Sequence, residues 1–496
     1  MLRIQDTMTG EKRPFETQEK NLAKVYVCGP TVYDYAHIGH ARCFIIYDVL
    51  VRHLRASGMA VEYVRNITDI DDKILKRAKE AGEEPRALAD RMTTAFGEDM
   101  AALRNVKPDE EPRVSDHLEG IYAMVTTLID KGHAYVADGD VYFSVRSAEG
   151  YGRLSGRKLD DMAAGASGRL DEAQAQRKKD PADFALWKGA PLDEWGWESP
   201  WGHGRPGWHI ECSVMSTAKL GETLDLHGGG LDLVFPHHEN EIAQSECATG
   251  KVFANHWMHN GFLEVNGEKM SKSLGNFFTV RNLFPLHEPE SIRLWTMSVH
   301  YRAPLGLNFE DGEDGTPRFP GIEEAERRVE YLYSTRRRLS DIAPQRLVDS
   351  SEPVPEDLGA FPAALKLVLD DDLNMPKGLA AMQDFLKAVN ELCDKAQGKK
   401  GKAAKAAVAA AHAGFVALDA ELGLGGQDPV AFLDRVRDRR AGKAGITPEY
   451  VEQKIADRVA ARAEKDFAAA DAIREELAAK GVELHDSPTA TTWTMT

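Results

Sequence analysis

Cysteine, long apolar runs and positive charge are all scarce in this chain of 496 residues. The five cysteines, Cys28, Cys43, Cys212, Cys247 and Cys393, are odd in number and far apart. That excludes a disulfide framework and leaves reduced thiols or metal ligands. The longest apolar stretches, such as Phe44–Tyr47 and the Ala-rich run Ala403–Ala413, fall far short of the roughly 20 residues that a membrane-crossing helix needs. Met1–Thr17 carries no apolar segment of signal-peptide type, so a cytoplasmic protein without a membrane span is expected. Lys+Arg 62 against Asp+Glu 79 gives a net charge of -17. A chain so acidic cannot grip nucleic acid with its whole surface, and any polyanion must be met by local basic patches.

What is present reads as a multi-domain globular protein. The 43% hydrophobic content excludes general disorder, and the length calls for more than one domain. Lys24–Val27 is a short apolar strand stopped by Cys28-Gly29-Pro30. A helical pattern follows from about Gly39 to Ser57, closed by Gly58, and Val61–Val64 is a second strand. Strand, helix and strand in that space predict a βαβ unit with a parallel sheet and a right-handed crossover. Residues of about 100–205 break this pattern with the helix His117–Lys131, the strands Ala134–Val136 and Val141–Phe143, and the loop Trp195–Trp208. They are read as an insertion. The α/β pattern resumes at Thr223–Leu226, Gly228-Gly229-Gly230 and a helical run from Pro236. The chain beyond about 280 is mostly helical, with Asp341–Asp357 as a linker.

Three groups of residues carry chemistry. His37-Ile38-Gly39-His40 opens the first helix, where unpaired N–H groups and the helix dipole attract anions. Lys269-Met270-Ser271-Lys272-Ser273 sets two ammonium groups beside two hydroxyls, which suits charge developing on a phosphoryl group. His237 and Glu241 lie four apart on one helix face and, with Cys28 and Cys212, make a tetrahedral zinc set. His238 and Glu239 compete with them as ligands, and spacing does not separate the two readings.

Cys28-Gly29-Pro30-Thr31-Val32-Tyr33-Asp34 leading into His37–His40, Asn66–Lys73, Gly207–Ser213, Phe235–Glu241 and Lys269–Ser273 closely resemble the motifs of the cysteinyl-tRNA synthetase family. They follow the same order over nearly the whole chain. The resemblance implies an α/β protein with a Rossmann-type catalytic domain over 1–280, split by the insertion at about 100–205. A stem-contact region at 281–355, a helical tRNA-binding bundle at 356–430 and a C-terminal anticodon-binding domain at 431–496 would follow. It also implies a monomer that activates L-cysteine with ATP and transfers the cysteinyl group to tRNA(Cys). One zinc ion would be held by Cys28, Cys212, His237 and Glu241, and Mg²⁺ would accompany ATP. His37, His40, Lys269 and Lys272 would serve ATP and catalysis, with Asp232 near the adenosine. Gly29, Thr68 and Trp208 would line the amino-acid site, although Trp208 equally fits core packing. Arg462, Phe467, Asp471 and Asp486 would contact the anticodon, although Arg462 to Asp471 equally reads as a plain amphipathic helix.

Two other enzymes fit parts of this pattern. A cysteine ligase of mycothiol synthesis shares the nucleotide and zinc motifs but joins cysteine to an amino sugar. A zinc hydrolase built on His237–Glu241 would lack the His-Glu-x-x-His spacing. The stretches at about 311–357 and 399–405 look like additions to the family pattern. Arg435-Val436-Arg437-Asp438-Arg439-Arg440 with Lys443 is the expected basic patch for the polyanion.

Overall fold

The computed structural model describes residues 1–159, 176–270, 276–312, 315–398, 400–486 and 491–495. Its first βαβ unit is β1 (Leu22–Val27), α1 (Ile38–Ala56) and β2 (Ala60–Arg65). The last three residues of β1 are buried on both faces, as expected of a parallel strand covered by helices. Helix α1 buries Phe44, Ile45, Ile46, Val49, Leu50 and Leu54, and the chain turns out of it at Gly58 with φ +86°.

The insertion carries helix α2 (Leu118–Asp130) and the strands β3 (Ala134–Ala137), β4 (Asp140–Phe143), β5 (Phe184–Gly189) and β6 (Gly204–Pro206), which pair antiparallel in chain order. Val125, Leu128, Val141, Phe143, Leu186 and Trp187 form its core. The chain then returns through α3 (Trp208–Leu220), β7 (Leu224–Gly230), α4 (Glu239–Thr249) and β8 (Ala254–Asn260). The central sheet runs β8-β7-β1-β2, parallel throughout. Its order reverses between β1 and β7, and such a reversal opens a crevice at the carboxyl ends of the strands.

The helical run expected from Pro236 is present: Phe235 is in extended backbone at φ -140° and ψ 131°, and after this kink the chain passes through a π-type turn ending at His238 straight into α4. The helices that follow are α5 (Pro289–Thr296), α6 (Pro320–Ser340), α7 (Phe361–Leu369), α8 (Met375–Ala396) and α9 (Lys405–Leu422). Their core is continuous with that of α1. Arg293, fully buried on α5, ties the parts together. Its guanidinium donates to the Leu422 carbonyl at 2.7 Å and to Asn105 Oδ1 at 3.0 Å, and it pairs with Asp48 of α1. The two apparent additions meet each other: Leu347-Val348 pairs in parallel with Ala403-Ala404. Lys399 lies outside the described residues.

Helix α10 (Pro429–Lys443) leads to the C-terminal unit of α11 (Pro448–Ala463), α12 (Phe467–Ala479) and the hairpin β9 (Val482–Asp486) and β10 (Thr491–Met495). Val451, Ile455, Leu477, Val482 and Trp493 give this unit a core of its own. The basic patch expected on α10 is largely engaged inside the protein. Arg439 pairs with Glu288 at 2.7 Å and also with Glu326, while Arg440 pairs with Glu330 at 2.7 Å and donates to the Met495 carbonyl. Arg435 reaches Glu288 at 3.2 Å, and Arg437 lies over the Trp493 ring. The partners come from α6 and from the turn before α5, more than 100 residues away in sequence, which the charge run alone does not reveal.

Candidate active site and metal centre

The candidate residues gather at the carboxyl ends of the parallel strands. Cys28 and Gly29 follow β1, Asn66 and Thr68 follow β2, and Asp232 follows β7 in the turn Leu231–Leu233. The strand ends leave little room. A Cβ on Gly228 would lie 2.3 Å from the Tyr47 ring, and the Tyr47 hydroxyl accepts from Gly229 N–H at 2.6 Å and donates to the Met258 carbonyl at 2.6 Å. Asp232 is exposed at the mouth of the crevice.

His37 caps α1. Its Nδ1 accepts from His40 N–H at 3.2 Å, His40 Nδ1 faces His37 N–H at 3.4 Å, and the two rings stack at 3.6 Å. Burial, with His37 and Lys73 adding to it, holds His40 well below the ordinary histidine value, so its ring is neutral near pH 7. Just beyond the lysine motif the chain pairs antiparallel with this cap: Ile38 N–H donates to Phe278 O at 3.1 Å, and Val280 N–H to Ala36 O at 2.9 Å. The Met270 methyl would stand 3.8 Å from a Cβ on Gly39. Both flanks of the lysine motif are thus fixed beside His37. Lys269 pairs through its backbone with Glu264, and Ser271, Lys272 and Ser273 lie outside the described residues.

Cys28, Cys212, His237 and Glu241 converge, with one donor atom from each within 4.8 Å of the others and all four buried. The two sulfurs lie 3.7 Å apart, Cys28 Sγ is 3.5 Å from Glu241 Oε1, and His237 Nε2 is 3.0 Å from the same oxygen. Two thiols, an imidazole and a carboxylate at one buried point suit a soft divalent cation. Electrostatics around the cluster are strongly perturbed. The Cys28 contact draws the Cys212 thiol down to about 6, while burial and Cys212 push Cys28 up. Against burial, which acts the other way, His227 and His237 hold Glu241 down to about 2.

Of the competing ligands, Glu239 is committed elsewhere: its carboxylate accepts from Gly152 N–H at 2.9 Å and Ser155 N–H at 2.8 Å in the insertion. His238 belongs to a second overlapping set with Cys28, His227 and Glu241. His227 bonds Glu241 Oε2 at 2.8 Å, yet the sequence reading passed over it. Its only signal was a histidine inside the apolar strand β7. His209 and His259 complete the imidazole network, at 2.9 Å from His237 and 2.7 Å from His238.

Trp208 opens α3 and stacks on His237 with ring centres 4.3 Å apart, so it borders the cluster. Thr68 and Glu211, buried in the floor beside Cys212, share a hydrogen bond of 3.1 Å. Burial, with Cys212 adding to it, pushes the Glu211 carboxyl well up.

In the C-terminal unit, Phe467 is 61% exposed at the start of α12, and Asp471 is exposed on the same helix. Asp486 takes both nitrogens of Arg458 at 2.8 Å and one of Arg462 at 3.3 Å, which holds it well below the usual carboxylate range. Arg462 and Asp486 thus meet directly.

Residues 14–314 match the family model described as tRNA synthetases class I (C) catalytic domain, and residues 366–425 match the DALR domain. A cysteine–tRNA ligase of Anaeromyxobacter dehalogenans (strain 2CP-C) is 49% identical over 99% of both chains. One of Halorhodospira halophila is 48% identical over 100% of both. Among solved structures, a Mycobacterium tuberculosis methionyl-tRNA synthetase in complex with methionyl-adenylate shares the fold with a TM-score of 0.57 at 17% identity, covering 86% of this chain and 94% of that one.

Proposed function

The chain belongs to the cysteine–tRNA ligase family, and from that premise we propose how its own residues activate cysteine and hand it to tRNA. The amino-sugar ligase alternative gives way to full-length likeness to cysteine–tRNA ligases. In the hydrolase alternative Glu239, the carboxylate between the histidines and Glu241, is already engaged by the insertion.

The observation that carries the mechanism is that a buried set of two cysteines, a histidine and a carboxylate gathers at the end of β1, the strand that leads into the anion site at the start of α1. Cys28, Cys212, His237 and Glu241 would hold one zinc ion. When bound, zinc would take the substrate thiol as thiolate, which serine's hydroxyl cannot match, whereas shape alone separates such small groups only roughly 10–200-fold. Gly29, Thr68 and Trp208 would orient the amino acid with its carboxylate toward α1.

In the first step a carboxylate oxygen attacks the α-phosphorus of ATP, the bond to the bridging oxygen breaks, and pyrophosphate leaves with that electron pair. His40, neutral in its desolvated niche, can donate one ring N–H to a phosphate oxygen. His37 at the N-terminus of α1 adds a second contact where the helix dipole favours negative charge. Lys269 and Lys272 would meet the charge growing on the phosphates, and Mg²⁺ would travel with ATP rather than sit in a protein cage. Asp232 would accept from ribose hydroxyls. In the second step a ribose hydroxyl of the tRNA end attacks the carbonyl carbon, the bond from that carbon to the phosphate oxygen breaks, AMP departs with the electron pair, and the hydroxyl proton passes to a phosphate oxygen or to water. Arg462, Phe467, Asp471 and Asp486 would read the anticodon, Phe467 by stacking on a base. Cysteine-dependent exchange of pyrophosphate into ATP, compared with serine and followed by charging of tRNA, tests the whole reading.

A further inference from the structure

Arg42 stands two residues after His40 on α1 and is 1% exposed. Its guanidinium meets backbone carbonyls from two separate stretches of chain. One terminal nitrogen donates to Phe262 O, and the other donates to Tyr301 O at 3.2 Å and to Ala303 O. Among the described residues no carboxylate pairs with it, and burial draws it down only to about 10, so it is charged at neutral pH. A guanidinium has no acceptor and a carbonyl has no proton. The direction of each bond is therefore fixed, whatever the protonation of neighbouring groups.

The two stretches cross at this point. Gly261 N–H donates to Tyr301 O at 2.9 Å and Leu305 N–H to Phe262 O at 3.0 Å, so Arg42 takes the second lone pair of each of these carbonyls. The crossing is tight, since a Cβ on Gly261 would fall 2.5 Å from Arg302 O. From it Leu263–Val265 runs out beside Leu305–Leu307 and pairs with the returning strand Glu268-Lys269. This hairpin carries the lysine motif. Its root rests on Arg42, and its far end comes back to the same helix: the Met270 methyl would stand 3.8 Å from a Cβ on Gly39, three residues before Arg42 and so on the same helix face.

Resting on the phosphate roles proposed above for His37, His40 and the lysine motif, we propose that Arg42 is a positioning residue for adenylate formation, which fixes the root of the lysine-bearing hairpin against the helix that presents the two histidines to ATP. Residues two apart on a helix face away from each other, so Arg42 holds the hairpin without standing in the place of the phosphates. A misplacement of about 1 Å at reacting groups costs about 10²-fold in rate, and the three bonds guard against it.

The test measures cysteine-dependent pyrophosphate exchange on the zinc-loaded full-length protein. Arg42→Met keeps the apolar stem and removes every donor, while Arg42→Lys keeps the charge but not the fork that spans both stretches. Exchange kcat should fall roughly 10- to 100-fold in Arg42→Met and less in Arg42→Lys, with the KM for cysteine and the zinc content unchanged. Loss of the bonds lowers the urea midpoint whether Arg42 positions the hairpin or only packs, so the deciding readout is coupling to the motif. In Arg42→Met combined with Lys272→Ala, the fall in kcat should stay well short of the product of the two single losses. Gly261→Ala strains the same crossing with Arg42 in place and carries the same expectation, a lower kcat that does not multiply with that of Lys272→Ala. Losses that multiply make the crossing an independent support of the fold and overturn the proposal. A raised KM for cysteine, or an unchanged kcat in Arg42→Met, also overturns it. A wild-type protein without exchange, or a Lys272→Ala variant as fast as wild type, would instead defeat the phosphate site on which the proposal rests.

Discussion

The backbone N–H of Ile38 donates to the carbonyl of Phe278 at 3.1 Å, which fastens the chain just after the lysine motif to the first turn of the helix that carries His37 and His40. Two stretches more than two hundred residues apart in sequence thereby share one corner, where the proposed function places the phosphates of ATP. Lys272→Ala should lower the rate of cysteinyl-adenylate formation by about 10²–10³-fold, the scale for losing one group that stabilises transition-state charge. Cysteine affinity should hardly move. An equal fall in cysteine affinity, measured by direct binding, would place the lysine in ground-state recognition.

Within the candidate metal cluster, the proposed ligands and their neighbours can be told apart. Cys212→Ser should cost the protein its zinc by elemental analysis, because the sulfur stands 3.7 Å from Cys28 in a buried set of donors. Glu239→Gln should keep zinc, since that carboxylate caps N–H groups of the insertion. Zinc lost from the Glu239 variant would restore Glu239 as a ligand.

Stability should fall as the solution is acidified through about pH 6.5. Burial holds His40 and His256 below their ordinary value of 6.5. In that range the unfolded chain therefore takes up protons that the folded chain refuses, and linkage favours unfolding. Urea denaturation at about pH 7.5 and about pH 5.5 should show a lower midpoint at the acid end. A His40→Gln variant should narrow the difference, and an unaltered difference would remove His40 from the account.

Phe467, 61% exposed, offers a ring to an unstacked base. Phe467→Ala should weaken tRNA by about 1–3 kcal/mol. It should leave cysteine-dependent pyrophosphate exchange and thermal stability intact, as the ring leaves no cavity behind. A variant that charges tRNA with wild-type KM would refute the stacking role.

Gly228 is closed in by Tyr47. Gly228→Ala puts a carbon 2.3 Å from that ring, and the repacking should cost about 1–3 kcal/mol of stability. A denaturation midpoint equal to wild type would show that the strand end has slack.

Local pattern carried the sequence reading a long way. Apolar runs stopped by Cys28-Gly29-Pro30, and a helix closed by Gly58, foretold β1, α1 and β2 to within a few residues, because sterics and hydrophobic period act over short spans. The sheet order β8-β7-β1-β2 was not legible, since pairing is decided by surfaces that meet only on folding. His227 was hidden for the same reason: its partner Glu241 is brought to 2.8 Å by the turn between β7 and α4. The arginines of α10 misled because charge density says nothing of who neutralises it, and Glu288, Glu326 and Glu330 do so from other helices and turns.

That same helix determines what can be exchanged in this molecule. Arg439 and Arg440 and their acidic partners all lie upstream of residue 445, while the C-terminal unit meets α10 through the Met495 carbonyl, the Trp493 ring and an apolar core that takes in Ala441. A carbonyl is available from any residue. The C-terminal unit is therefore seated apart from the ion pairs of α10, and a chimaera built at this seam must match one aromatic ring and the apolar socket around Ala441.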